Sequence, residues 1–258
     1  MTFMTIPAAS IAGMVFSLVV SFALPIGLFV YAKKKLGAKA APFFIGCGVF
    51  FVMVLMLEAA IHRIVFQLAG EALTGSVILY AVYGGLMAAL LEETGRYIAM
   101  RFLVKPMDFP NAFMYGAGHG GVEAMLLCGV ASISNIASAV MINSGTMSAQ
   151  LATLDAEKAA DTAAALSALW TTPSLTFFAG GVERIIAVVL HLSLSILVFQ
   201  SIRKKSQKDL LNAYLFHFVI DSLSVLLSAV ASVWVVELVT ALVTGGAVLM
   251  ARYACMEE

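Results

Sequence analysis

Charge is what this sequence has least of. Only 12% of its 258 residues are Asp, Glu, Lys or Arg, against 62% hydrophobic, with a mean hydropathy of +1.00. A soluble domain carries about a quarter charged residues and about half apolar ones, so the composition excludes a soluble globular protein and implies an integral membrane protein. Its three cysteines, Cys47, Cys128 and Cys255, are scattered and odd in number, which rules out a disulfide framework. The formal net charge is zero and there is no basic face, so nucleic acid is not an expected partner. No basic segment precedes the first apolar run, and Lys33, Lys34 and Lys35 follow it; that is the pattern of a retained span, not of a cleaved signal peptide.

What is present in quantity is long apolar sequence. Seven stretches, at roughly 9–32, 42–69, 76–104, 110–140, 175–201, 210–229 and 231–252, are long enough for the ~20 residues a bilayer-spanning helix needs. They predict an all-α polytopic bundle of about seven transmembrane helices in a single domain covering 1–258. Basic residues gather at alternate span ends: Lys33, Lys34, Lys35, Lys39, Arg101, Lys105, Arg203, Lys204, Lys205, Lys208 and Arg252, 11 of the 15 in the chain. By the positive-inside rule those ends face the cytoplasm, which puts the N-terminus outside, the C-terminus inside, and the chain in a bacterial cytoplasmic membrane. The one long connection, about 141–174, then lies outside. Within it Asp155–Trp170 is Ala-rich and acidic at its start, the pattern of a surface helix; a helix resting on the bundle is favoured over a lid above an entrance. "GGVE" recurs at Gly120–Glu123 and Gly180–Glu183, a four-residue match read as coincidence.

Against that background, "ALLEETGRYIAM" (Ala89–Met100) places Glu92, Glu93 and Arg96 at mid-span. Each charge at a helix centre costs roughly 2.5–3.5 kcal/mol on insertion scales. Counting at ~1.5 Å rise per residue, Glu92, Glu93, His119, Glu123, His191, His217 and Asp221 fall in one layer, reached from four spans. A second group nearer the other face, Glu58, His62, Arg63, Glu183 and Arg184, sums to zero and is expected to be structural ion pairs. The first group has four carboxylates against Arg96, with three of the four histidines. A low dielectric does not tolerate that excess, so either protons or a cation must balance it.

Spacing narrows the partners. Arg96 can reach Glu92 at i,i+4 or Glu93 at i,i+3. In "YGAGHGGVEAM", His119 and Glu123 are i,i+4, and Gly116, Gly118, Gly120 and Gly121 bare the backbone beside the histidine. The same glycines suit close helix packing. In "YLFHFVIDS", Tyr214, His217 and Asp221 share a face, and Asp221 is positioned to fix the tautomer of His217. His191 shares a face with Arg184 and Ser195.

An EE-x-x-R span, a histidine four residues before a carboxylate, and a later H-x-x-x-D resemble the glutamic-type intramembrane proteases. That group holds the CAAX prenyl endopeptidases, the PrsW proteases and the anterior-pharynx-defective subunit of gamma-secretase. With "LLEETGRY" and "GAGHGGVEA", the chain looks most like the YhfC family of intramembrane peptidases. The resemblance implies that Glu92 activates water beside Glu93, that Arg96 closes the motif, and that His119 and His217 are the motif histidines. Glu123 matches the carboxylate of PrsW-like proteins, and Asp221 the residue that orients His217; His191 and Tyr214 stand as supporting residues. Only Thr94 and Gly95 separate Glu93 from Arg96, a spacing closer to PrsW than to the CAAX enzymes.

The expected activity is hydrolysis of a peptide bond in or near the cytoplasmic half of the bilayer, on a membrane protein or peptide substrate. No H-E-x-x-H of the site-two zinc proteases occurs in the chain. Either no cofactor is needed, or zinc is held by His119, His191, His217 and Glu123. Two other classes remain open: a non-catalytic scaffold or chaperone subunit, and a metal or proton transporter, for which a helix broken at 116–121 would be needed. The sequence assigns no oligomeric state.

Overall fold

The structure, a computed structural model, describes residues 3–256, and all regular structure among them is helical. Seven helices are long and apolar enough to cross a membrane: Ala8–Lys35, Ala41–Thr74, Val77–Phe102, Phe109–Asn143, Ser174–Lys204, Gln207–Ser228 and Val233–Met256. They are called the first to seventh spans below. Each corresponds to one apolar stretch of the sequence, with ends set by local chemistry. Ser76 caps the third span, its hydroxyl accepting from the Leu79 amide at 3.3 Å, and Ser206 caps the sixth in the same way through the Asp209 amide. A serine oxygen there satisfies an amide that the first turn leaves without a partner.

Two spans are not α-helical throughout. The second widens into a π-helix over Phe51–Glu58, and the fourth over Ala124–Gly129. In these stretches the backbone bonds run i→i+5.

The described chain divides into two compact units, one formed by the residues up to Ala23 with Ala124–Arg184, the other by Leu24–Glu123 with the residues from Ile185. The first unit is built on Ile6, Met14, Ala139, Ile142, Met147, Leu151, Ala163 and Leu169. Asn143 fastens it, accepting from the Ile6 amide at 2.7 Å and donating to the Ile6 carbonyl at 3.0 Å. The long connection lies here. Its helix, Ala156–Leu166, starts at Asp155 and packs Ala159, Ala163 and Leu166 into this cluster. A helix resting on packed side chains, the favoured reading, is what the structure contains.

The second unit brings backbones together through small residues. A Cβ at Gly118 would run into the Phe43 backbone, and one at Gly46 into the Tyr115 carbonyl. The second and fourth spans therefore meet almost backbone to backbone. Cys47 reinforces the contact, its Sγ donating to the Gly118 carbonyl at 3.3 Å. On the other flank of the third span, Gly85 makes room for Phe218 and Ser222 of the sixth, and Ser222 Oγ donates to the Ala81 carbonyl at 3.2 Å. Helices in lipid gain little from apolar burial against each other, so this close approach and its interhelical hydrogen bonds hold the unit. Phe109–Glu123 stays continuous α-helix through Gly116–Gly121. The glycines serve packing, and the broken helix that a transporter would want is absent from this segment.

Candidate functional site

The second unit gathers every charged or imidazole residue of the mid-span layer. Arg96 and His119 are fully buried, Glu93 is 0% exposed and Glu92 6%. A guanidinium so placed survives only if it is surrounded by acceptors. Its Nη1 donates to the His191 carbonyl at 2.9 Å and to Ser195 Oγ at 3.2 Å; its Nη2 meets His191 Nδ1 at 2.8 Å and Glu93 Oε1 at 3.4 Å. Of the two carboxylates that spacing allowed, Arg96 takes Glu93.

Glu92, one residue earlier, points elsewhere. Its Oε2 lies 2.8 Å from His119 Nε2, and its Oε1 is 3.8 Å from His217 Nε2. His217 is held through its other nitrogen, with Nδ1 at 2.7 Å from Glu93 Oε1. Asp221 Oδ2 stands 3.3 Å from His217 Nε2. Asp221 does face His217, but the shorter bond comes from Glu93. The i,i+4 pair expected of His119 and Glu123 does not form: Glu123 Oε2 lies 2.5 Å from His191 Nε2. His191 is thereby placed between the other two rings, with centroids 5.0 Å from His119 and 5.5 Å from His217. Tyr214 supports the layer from below, its hydroxyl 2.8 Å from Thr94 Oγ1.

The second charge group is not a single set of ion pairs. Glu58 Oε1 lies 3.2 Å from His62 Nε2, and His62 Nδ1 is 2.7 Å from the Tyr83 hydroxyl. Glu58 is also within electrostatic reach of Asp221 and His217, so it adjoins the candidate site. Arg63 is exposed, and Glu183 pairs with its neighbour Arg184. Sequence reasoning passed over several residues. Ser195 and Thr94 carry no signal beyond sharing faces with His191 and Tyr214. Tyr115, fully buried with its ring 5.9 Å from His119, looks apolar in sequence. Glu237 is a buried carboxylate on the seventh span; its mid-run charge was the available signal.

The donor set suits a metal. Glu92, His119 and His191 each offer one ligand atom, and these atoms lie within 4.8 Å of one another, all buried. Two imidazoles with a carboxylate is a catalytic zinc pattern. His217 has the same character, because a histidine ligand ordinarily donates its second N–H to a carboxylate, as His217 Nδ1 can to Glu93. His119 Nδ1 is buried and has no hydrogen-bond partner. A polar atom left without a partner in so dry a site is costly unless something else is bound there. The residues present fit a divalent metal such as zinc.

Comparison with known proteins agrees. A family model described as YhfC intramembrane metalloprotease matches residues 20–240. The chain is 40% identical over 202 residues to a protein of Bacillus subtilis (strain 168) described as uncharacterized membrane protein YhfC, an alignment covering 77% of each chain. No solved structure matches it.

Proposed function

The chain belongs to the YhfC family of intramembrane metalloproteases, and on that footing we propose that it hydrolyses a peptide bond of a membrane-embedded substrate, with Glu92 as the general base. One observation carries the reading: Glu92 is 6% exposed, lies between His119 and His217, and does not take the only buried arginine of the site. Glu93 is the carboxylate that faces the Arg96 charge. Glu92 is thus left to exchange a proton.

In this reading Glu92 Oε1, the oxygen not engaged by His119, takes a proton from water as the water oxygen bonds to the scissile carbonyl carbon. The C–N bond then breaks, and the proton passes from Glu92 to the leaving amine. His119 and His217 hold the water and the developing oxyanion against Glu92. Glu93 and Arg96 keep the His217 ring and each other in place. A divalent metal held by Glu92, His119 and one further histidine would supply Lewis-acid polarisation of the carbonyl and ease ionisation of the water. Glu92 keeps the base role that the glutamic-type resemblance implies. With the N-terminus outside, the layer lies toward the cytoplasmic half of the bilayer.

Glu92→Gln keeps size and removes the base. Membranes from cells producing the parent should contain new peptide N-termini that are missing with Glu92→Gln, at equal levels of folded protein. The same N-termini in both membranes would refute the assignment.

A further inference from the structure

His191 is one of three residues whose ligand atoms converge, and alone of the site histidines it has both ring nitrogens within 2.8 Å of strong partners. Arg96 faces Nδ1 and Glu123 faces Nε2. A guanidinium has only donors and does not lose its charge in a protein. Nδ1 of His191 must therefore accept, and the ring proton sits on Nε2, aimed at the Glu123 carboxylate. A metal on Nε2 would need that proton moved to Nδ1, where it would oppose an Arg96 N–H. A metal on Nδ1 would have to displace Arg96. Neither is compatible with the arrangement around the guanidinium.

His217 has the complementary arrangement. Its Nδ1 points at Glu93 and its Nε2 toward Glu92 and Asp221, at 3.8 and 3.3 Å. We propose that His191 is a positioning residue and not a ligand: pinned between Arg96 and Glu123, it fixes the guanidinium, and it spaces the rings of His119 and His217. The proposal rests on the metal-site reading above but does not share its fate, because the tautomer of His191 is defined with or without metal.

The local packing fits a fixed wedge. His191 is 3% exposed, and a Cβ at Gly120 would lie 2.8 Å from the His191 Cβ. Only a glycine admits the ring backbone at this point. Arg96 is bound to His191 twice, through the carbonyl as well as the ring, so the fifth span and the third are locked in one register.

The test is nitrogen NMR of the full chain in nanodiscs with labelled histidine. The chain has four histidines, so single substitutions assign every ring. His191 is expected in the Nε2–H tautomer both before and after zinc is added, while zinc moves the signals of His119 and His217. An Nδ1–H tautomer, or a zinc-bound nitrogen on His191, overturns the proposal. If no histidine responds to zinc, the metal reading fails, and the tautomer of His191 still decides this one.

Substitution gives a second readout. A glutamine at 191 can accept from Arg96 through its carbonyl and donate to Glu123 through its amide, without offering an imidazole. His191→Ala should weaken zinc binding by roughly 10–100-fold, the range for loss of a supporting partner, and His191→Gln should recover most of it. His217→Gln should lose more than either. A His191→Gln protein as poor in zinc as His217→Gln would make His191 a ligand.

Discussion

Glu93 holds His217 more closely than Asp221 does. Glu93 Oε1 lies 2.7 Å from Nδ1, and its side chain is wholly buried; Asp221 Oδ2 lies 3.3 Å from Nε2, and its side chain is 38% exposed. Water screens the second contact and not the first. The same Glu93 oxygen faces Arg96 at 3.4 Å, so one buried atom connects a histidine of the third motif with the arginine of the first.

Glu93→Gln should therefore do more damage than Asp221→Asn. Glutamine can still accept from His217 Nδ1 but leaves the Arg96 charge without its carboxylate. Cleavage should fall by about 10–100-fold, and the thermal midpoint in detergent should drop with it, since stripping one partner from a buried pair is strongly destabilising. Asp221→Asn should stay within roughly 10-fold of the parent, given its exposure. Initial rates on one substrate would rank the two, and the opposite order would reject Glu93 as the main support.

Metal removal should silence the protein without unfolding it. Dialysis against a strong chelator should abolish cleavage, and zinc should restore it. Helical circular dichroism should not change, because seven spans hold the fold. Metal analysis should find about one zinc per chain in the parent and far less in His119→Ala. Full activity in chelator-treated, metal-free protein would exclude the metal-assisted reading.

Gly118→Ala should destabilise the bundle by about 1–3 kcal/mol or more. Its Cβ would meet the Phe43 backbone, which has no rotamer to give way, whereas a Cβ at Gly84 meets nothing within 4 Å. Unfolding in mixed micelles should separate the two variants clearly, with Gly84→Ala near the parent. Equal stabilities would mean that the second and fourth spans are not in close backbone contact.

The helix Ala156–Leu166 should loosen in acid. Asp155 accepts from the Lys158 ammonium at 2.8 Å and the Lys158 amide at 2.9 Å. Those bonds hold its carboxyl below the ordinary carboxylate range. A carboxyl lowered by folding stabilises at neutral pH, and that contribution is lost as pH falls through its folded-state value. Hydrogen exchange across this helix, corrected for intrinsic rates, should rise at acid pH in the parent and be less pH-dependent in Asp155→Asn. Identical pH profiles would assign the helix start to other contacts.

Seven spans were legible in the sequence because a bilayer imposes one simple demand, about 20 apolar residues each. The polar layer was legible for a related reason: charges are so costly in lipid that those present must meet, and a fixed rise per residue gives their depth. What depth leaves open is azimuth. Which carboxylate Arg96 takes, and whether Glu123 faces His119 or His191, depend on helix rotation and on packing at Gly118 and Gly120. Both partnerships were reachable by i,i+3 or i,i+4 spacing, and in the second a residue from another span won. Glu58 was grouped by depth with Glu183 and Arg184, yet it pairs with His62 and adjoins Asp221. Glu237, buried on the seventh span, was passed over although its charge was in plain view.

The widened turns have a consequence for how these spans tolerate change. A π segment holds one more residue than the α-helix it interrupts needs, so Phe51–Glu58 stores a slack residue inside the membrane. Removing one residue from that stretch would let the span close into ordinary helix with little change in length. It would also turn everything beyond it by about a quarter of a revolution, swinging Glu58 and His62 off their present bearings. The second span is thus a length that can be shortened but a dial that cannot be reset, and deletions there should leave insertion into the membrane intact while misaiming its polar side chains.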